Sequence, residues 1–214
     1  ITPKVETADQ AVAVDARDGF CIDWAVNHAR FPGVQRSAIE GMLDAAFDRR
    51  DGSASVFALP SVRAAIDANP GCEHLFIVLA SPVCEVGRDW DADWAVAELS
   101  SMRSIIQIAG RVNRHRRRSI RKPNIAILDT PLRPLRFPNA KGGVFVRPGY
   151  ESPDNPRFRL RSFNAADVLH RCEYDPITSI PRISRQSKVL DPRVFLSDLE
   201  HARTGDVMLP HGCI

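Results

Sequence analysis

The 214-residue chain has no apolar run approaching the ~18 residues that would span a bilayer, and no basic stretch followed by an apolar one near its N-terminus. Neither a membrane segment nor an export signal is expected, and the cytoplasm is the simplest location. Cysteine is scarce. Cys21, Cys72, Cys84, Cys172 and Cys213 are odd in number and irregular in spacing, which implies neither a disulfide framework nor a CxxC metal knuckle. No glycine is followed by lysine, so the phosphate-cradling G-x-x-x-x-G-K-[ST] loop is absent. A magnesium-binding D-E-x-[DH] run and an adjacent His-Asp pair are absent too. A self-contained nucleotide hydrolase and a His-Asp metal nuclease are thereby excluded. His170-x-Cys172 and His211-x-Cys213 could each be half of a zinc site, but structural zinc takes four ligands at CxxC-like spacing, so no metal site is expected.

What is present is an ordinary globular composition, 44% hydrophobic and 26% charged. The length suits one domain with an appendage, or two small units. The net charge of +3 is small, but Arg111 to Lys122 (RVNRHRRRSIRK) holds seven Lys or Arg and no acid. Such a patch calls for an anion. The first residue is Ile rather than Met, which suggests a chain excised or processed from something longer.

Phe20 to Val26 alternates as a strand. Ile39, Met42, Leu43, Ala46 and Phe47 recur at helical period between Gln35 and Arg49, and a weaker helix spans Ser61 to Ala68. His74 to Ala80 (HLFIVLA) is a continuous apolar run that suits a buried parallel strand. A strand at Trp94 to Glu98, a helix from about Ser101 to Arg117 and a strand at Asn124 to Leu128 follow. Strands alternating with helices predict a parallel α/β layer. After Asp129, Pro131, Pro134, Pro138, Pro148, Pro153 and Pro156 with Gly142, Gly143 and Gly149 read as an extended linker. Helices near Ala165 to Arg171 and Val194 to Ala202 complete the chain.

On a helix running through Arg117, Met102, Ile105, Ala109 and Val112 share the core side. Arg103, Gln107, Arg111, Arg114 and Arg118 form the opposite stripe, flanked by Gly110, where a missing side chain admits another group. A charge run usually faces solvent. Here no acid at i+4 offsets the stripe, and Arg111 and Arg114 at i, i+3 could reach one polyphosphate. The loop Ser81 to Asp93 (SPVCEVGRDWDAD) leaves the carboxyl end of the apolar strand, where open α/β sheets bind ligands, and carries Glu85, Asp89, Asp91 and Asp93 around Gly87. Trp94 reads as core, whereas Trp90 could stack on a base or pack inside.

These two stretches, Leu79 to Trp94 and Leu99 to His115, resemble motifs V and VI of superfamily 2 helicases, with Gln107, Gly110, Arg111 and Arg114 matching Q-x-x-G-R-x-x-R. The wording S-S-M-R-S-I-I-Q with G-R-V-N-R-H is similar to the CRISPR-associated helicase-nuclease of type I systems, subtype I-F. Asn27 to Arg49 resembles its motif IV region. Ser81 stands where the family usually carries Thr, and Asn27 where Tyr is common. The resemblance covers residues 20 to 135 most clearly.

It implies the second RecA-like lobe, a parallel sheet flanked by helices, over residues 1–135, and over 136–214 an extended Pro-rich linker with a small, mainly helical start of a C-terminal accessory domain. It implies half of an ATP-dependent 3′ to 5′ single-strand DNA translocase that unwinds foreign DNA in CRISPR interference. Arg114 would be the arginine finger, Arg111 the γ-phosphate sensor and Gln107 a coupling residue, with Gly87, Asp89 and Gly110 at the nucleotide. Ser81, Val83, His28, Arg30, Arg36 and Arg103 would touch DNA. ATP with magnesium would be bound jointly with a first lobe absent from this chain, and nuclease metal ions would belong to an upstream domain. Implied partners are single-stranded DNA, the RNA-guided surveillance complex, the adaptation integrase and anti-CRISPR inhibitor proteins. The alternative is a stand-alone module, derived from a helicase lobe, that binds nucleic acid or protein.

Overall fold

In the computed structural model the described residues are 13–17 (backbone), 19–51, 55–136, 143–146, 150–184 and 189–209. They form two compact units. The first comprises residues up to Asp93 together with Asn113–Ser119, and the second comprises Trp94–Val112 with the residues from Ile120 onward.

The first unit is built on a three-stranded sheet. β1 (Ala13–Arg17) pairs antiparallel with β2 (Phe20–Asn27), which pairs parallel with β3 (Glu73–Ala80), Cys21 opposite His74 and Asn27 opposite Ala80. Every second side chain of β2, from Cys21 to Asn27, is buried, as a strand with one face on a core requires. That core comes from α1 (Gly33–Phe47), whose Ile39, Leu43 and Ala46 are buried one helical turn apart, Ile39 and Leu43 packing with Ala25 and Trp90. α2 (Pro60–Ala68) starts with its proline in the first turn, where no N–H is needed, and buries Val62 and Ala65. The expectation of a fully buried β3 is not met. Its residues are half-buried or exposed, Leu79 at 50%, because among the described residues only β2 pairs with it.

In the second unit, β4 (Ala95–Ala97) and β5 (Ile125–Ile127) make a parallel pair, and α3 (Met102–Ala109) follows β4. Ser101 caps α3 by accepting the Ser104 N–H at 3.0 Å. The helix predicted to reach Arg117 ends at Ala109 instead, with Gly110 as its cap. The cationic stripe is therefore not helical beyond that point. Asn113 and Arg117 have φ of 53° and 46°, a left-handed backbone that no α-helix accommodates.

The helix expected at Ala165 to Arg171 is two single turns, α5 (Ala165–Val168) and α6 (Arg171–Tyr174), after α4 (Leu132–Arg136). Leu169 and His170 are extended between them. α7 (Ile180–Ile183) precedes α8 (Leu196–Met208), which runs further than expected. What is seen is a mixed α/β arrangement with small sheets and flanking helices, not one continuous parallel sheet.

The Pro- and Gly-rich stretch is more than a tether where it is described. Phe145, Phe158 and Leu160 join Leu99, Met102, Ile105, Leu196 and Leu199 in one core. Buried Glu151 organises it, accepting the N–H of Phe145 at 2.7 Å and of Leu160 at 2.8 Å. Gly143 leaves room for that carboxylate, since a Cβ there would lie 2.3 Å from Glu151 Oε2. Because Glu151 is pinned by two backbone donors, it cannot swing away cheaply. Gly143→Ala should therefore cost about 1–3 kcal/mol, the usual penalty of overpacking. A thermal midpoint equal to wild type would contradict that packing.

Candidate functional site

The loop after β3 is fastened along its length to α1. Arg88 bridges to Glu40 at 2.5 Å and Asp44 at 3.0 Å. Trp90 is only 6% exposed, stacks on Phe47 with centroids 5.4 Å apart, and donates its indole N–H to Asp44 at 2.6 Å. It is core rather than a base-stacking platform, and Trp94, read as core, is 47% exposed. Gly87 has φ +71° with open space around its α-carbon, so the turn requires glycine for its backbone conformation alone.

Around and beyond Trp90 the loop presents three carboxylates, Asp89, Asp91 and Asp93, that meet the arginine run. Asp89 Oδ1 accepts Arg114 Nε at 2.6 Å and faces His115 Nε2 at 3.1 Å, while Arg50 binds Oδ2. His115 Nδ1 takes the Arg49 N–H at 3.2 Å, which leaves its proton on Nε2, aimed at Asp89. Hydrogen bonds from His115, then Arg50 and Arg114, hold the Asp89 carboxyl well below the usual carboxylate range. Arg49 donates to Asp93 at 2.8 Å, and Arg116 bridges Asp91 and Asp93. Burial pushes both Asp91 and Asp93 up, but the bonds and charge of Arg116, joined at Asp93 by Arg49, outweigh it and leave both carboxyls low. The patch expected to lack acids thus receives them from a loop more than twenty residues earlier.

Arg50, Asp89, Arg114, His115 and Arg117 line an open pocket of about 630 Å³. Arg114 is 46% exposed there. Of the predicted nucleotide and catalytic residues, the structure brings Asp89 and Arg114 into contact. Gly87 lies two residues before Asp89 on the same loop. Gln107, Gly110 and Arg111 belong to the second unit, as does Arg103, which is exposed on α3. Gln107 has a buried Oε1 with no hydrogen-bond partner among the described residues. A Cβ on Gly110 would make ordinary contacts, 3.4 Å from Ile106 O, so nothing among the described residues demands glycine there.

At the carboxyl ends of β2 and β3, His28, Arg30 and Ser81 come together. Ser81 Oγ accepts the Ala29 N–H at 3.1 Å and its own N–H reaches Asn27 O at 3.0 Å, while His28 Nδ1 accepts the Arg30 N–H at 3.0 Å. Val83 follows in the turn Pro82–Cys84, and Arg36 sits in the first turn of α1, 3.7 Å from Glu40. Asn27 is fully buried and donates to Cys84 Sγ at 3.2 Å. Among the described residues no group of three or more His, Cys, Asp or Glu could hold a metal ion, and His211 and Cys213 lie outside them.

Sequence reasoning gave no individual site role to Arg50, or to His115, Arg116 and Arg117 of the basic run. Arg50, just past the end of α1, reaches across to Asp89. The regular spacing of Asp89, Asp91 and Asp93 was the one signal that could have paired this loop with the arginines.

The family model of the CRISPR-associated nuclease/helicase Cas3, C-terminal, matches residues 1–117. The chain belongs to the Cas3 nuclease/helicase family. The chain is 43% identical over 210 residues to the Cas3 nuclease/helicase of subtype I-F/YPEST from Pseudomonas aeruginosa, covering 98% of this chain and 19% of that protein. It is 38% identical to the corresponding protein from Pectobacterium atrosepticum, again covering 98% of this chain and 19% of the relative. Among solved structures, the crystal structure of T. fusca Cas3-ATP matches at 22% identity and a TM-score of 0.36, over 51% of this chain and 11% of that one. The chain therefore spans about a fifth of the length of the curated relatives it matches. No helix among the described residues is long and apolar enough to cross a membrane.

Proposed function

We propose that residues 1–135 are the second RecA-like lobe, and residues 136–214 the linker and beginning of a C-terminal accessory domain, of an ATP-driven single-strand DNA translocase acting in type I-F CRISPR interference. The observation that carries this reading is the contact of Arg114 with Asp89 in a cation-lined pocket, formed by the loop that leaves the carboxyl end of β3. From there the loop runs back along α1, so the pocket lies beside Arg50, just past the C-terminal end of that helix. Guanidinium groups there are matched to a polyphosphate by charge and by fork geometry.

In this reading Arg114 meets the charge that develops on the transferring phosphoryl group. Arg111 senses the γ-phosphate, Gln107 couples hydrolysis to strand movement, and Gly87, Asp89 and Gly110 border the nucleotide. His28, Arg30, Arg36, Ser81, Val83 and Arg103 contact the DNA backbone. The cations at the pocket fit the phosphates of ATP. Its magnesium would be held by phosphate oxygens and by the first lobe, because the acids here are already engaged by arginine. Nuclease metal ions belong to the upstream domain, and cytoplasmic partners would be the surveillance complex, the adaptation integrase and inhibitor proteins.

The isolated chain should hydrolyse no ATP, with or without single-stranded DNA, and supplying the N-terminal portion of the full-length protein should restore DNA-stimulated hydrolysis. Measurable ATPase from the chain alone would overturn the half-motor reading. Failure of the N-terminal portion to restore it would favour a stand-alone binding module. DNA affinity does not separate the two, since an arginine patch binds phosphates in a salt-dependent way under either.

A further inference from the structure

Because α3 stops at Ala109, no helical backbone carries Arg114 into the pocket. Its segment is instead a turn containing two left-handed residues, of which Arg117 is a residue type that rarely tolerates that conformation. Something other than local propensity must hold the turn.

Asp91 is fully buried, and its carboxylate is filled by this one segment. Oδ1 accepts the Arg114 N–H at 2.9 Å and Arg116 Nη2 at 3.2 Å, while Oδ2 accepts the Arg116 N–H at 3.2 Å and Arg116 Nε at 2.7 Å. Arg116 Nη2 also reaches Ala92 O at 3.0 Å, and the Asn113 N–H donates to the same carbonyl at 2.9 Å. The far end is anchored as well, since the Asp91 N–H donates to Phe47 O, at the last residue of α1, at 3.1 Å. The Arg116 side chain is 6% exposed, so this pair faces no solvent and holds nothing directly in the pocket.

We propose that Asp91, with Arg116, is a positioning residue for Arg114: it grips the backbone of the turn and so sets where the Arg114 guanidinium enters the pocket. The inference rests on the proposed role of Arg114 in ATP hydrolysis. A carboxylate taking two backbone N–H groups and a side-on guanidinium fixes both translation and rotation of the turn, which a surface ion pair does not. Asn at position 91 would keep one acceptor but turn an amide toward donors, and would remove the charge opposite Arg116.

The test uses the full-length protein, measuring DNA-stimulated ATPase against ATP concentration. Asp91→Asn should lower kcat by roughly 10- to 100-fold, the range that misplacement of a catalytic group produces, with KM for ATP changed by less than about threefold. The same substitution in an Arg114→Lys background should add little, because both changes act through one group. Arg116→Lys keeps the charge and loses the fork, and should reproduce the kcat loss; it carries the test if Asp91→Asn does not fold. Wild-type kcat in the folded variant, or effects of Asp91→Asn and Arg114→Lys that multiply independently, would overturn the proposal. If Arg114→Ala itself left hydrolysis intact, the functional reading would fail first; if only the Asp91 variants were silent, the positioning role alone would fall.

Discussion

Arg114→Ala in the full-length protein is expected to lower the kcat of DNA-stimulated ATP hydrolysis by about 10³-fold or more, with a much smaller effect on nucleotide affinity. A cation aimed at the charge that develops on a transferring phosphoryl group acts in the transition state rather than the ground state, and removing it has effects of about that size. The geometry adds a second expectation. Arg114 Nε rests on Asp89 at 2.6 Å, and Asp89 is also held by His115 and Arg50, so the guanidinium already sits at the pocket. Arg114→Lys keeps a positive charge but cannot make the same side-on contact, and should recover only a small part of the rate. A loss below about tenfold for Arg114→Ala, from single-turnover measurements, would take Arg114 out of the reaction.

The second large effect concerns stability. Glu200 on α8 is buried and caps α3 from outside, accepting the Met102 N–H, with Arg182 Nε 3.7 Å from Oε2. Burial pushes its carboxyl up to about 7, against the pull of the Met102 and Arg103 backbone and of Arg182. The folded state therefore binds a proton more tightly than the unfolded state does. Between the ordinary value of 4.5 and about 7, folding stability from this group falls as pH rises, the reverse of a salt-bridged carboxylate. At ~1.4 kcal/mol per unit, the loss approaches roughly 3 kcal/mol as an upper limit. Glu200→Gln keeps the capping oxygen and removes the titration. The stability of the variant minus that of wild type, from denaturant unfolding, should rise across this pH window, and a flat difference would show that Glu200 ionises normally.

Much of the local structure is legible in the residues themselves. The stripe Ile39, Leu43 and Ala46 specifies α1, and Ser101 caps α3 where a cap residue should stand. The alternation of β2 follows from one buried face. Motif wording was informative over a longer range, because the runs around Gly87 and Gly110 are long and specific enough to indicate the family. Local reasoning failed where partners are distant. Projecting Arg103 to Arg118 on a helix assumed that helical period continues to about Arg117, yet the chain turns at Gly110, and the Asn113 N–H bonds to Ala92 O. The absence of acids at i+4 was read as an unmet demand for an anion, and Asp89, Asp91 and Asp93 answer part of that demand. Trp90, left open between base stacking and packing inside, is buried because Phe47 and Asp44 of α1 hold it, whereas Trp94, read as core, is exposed.

The sequence by itself determined β2, α1, α2, the start of α3 and the family, since periodicity, capping and motif spacing are properties of neighbouring residues. Only the tertiary structure decided that the arginine run leaves its helix and closes on the loop after β3. That closure depends on a buried carboxylate more than twenty residues away, and no local pattern encodes which distant acid a guanidinium will meet.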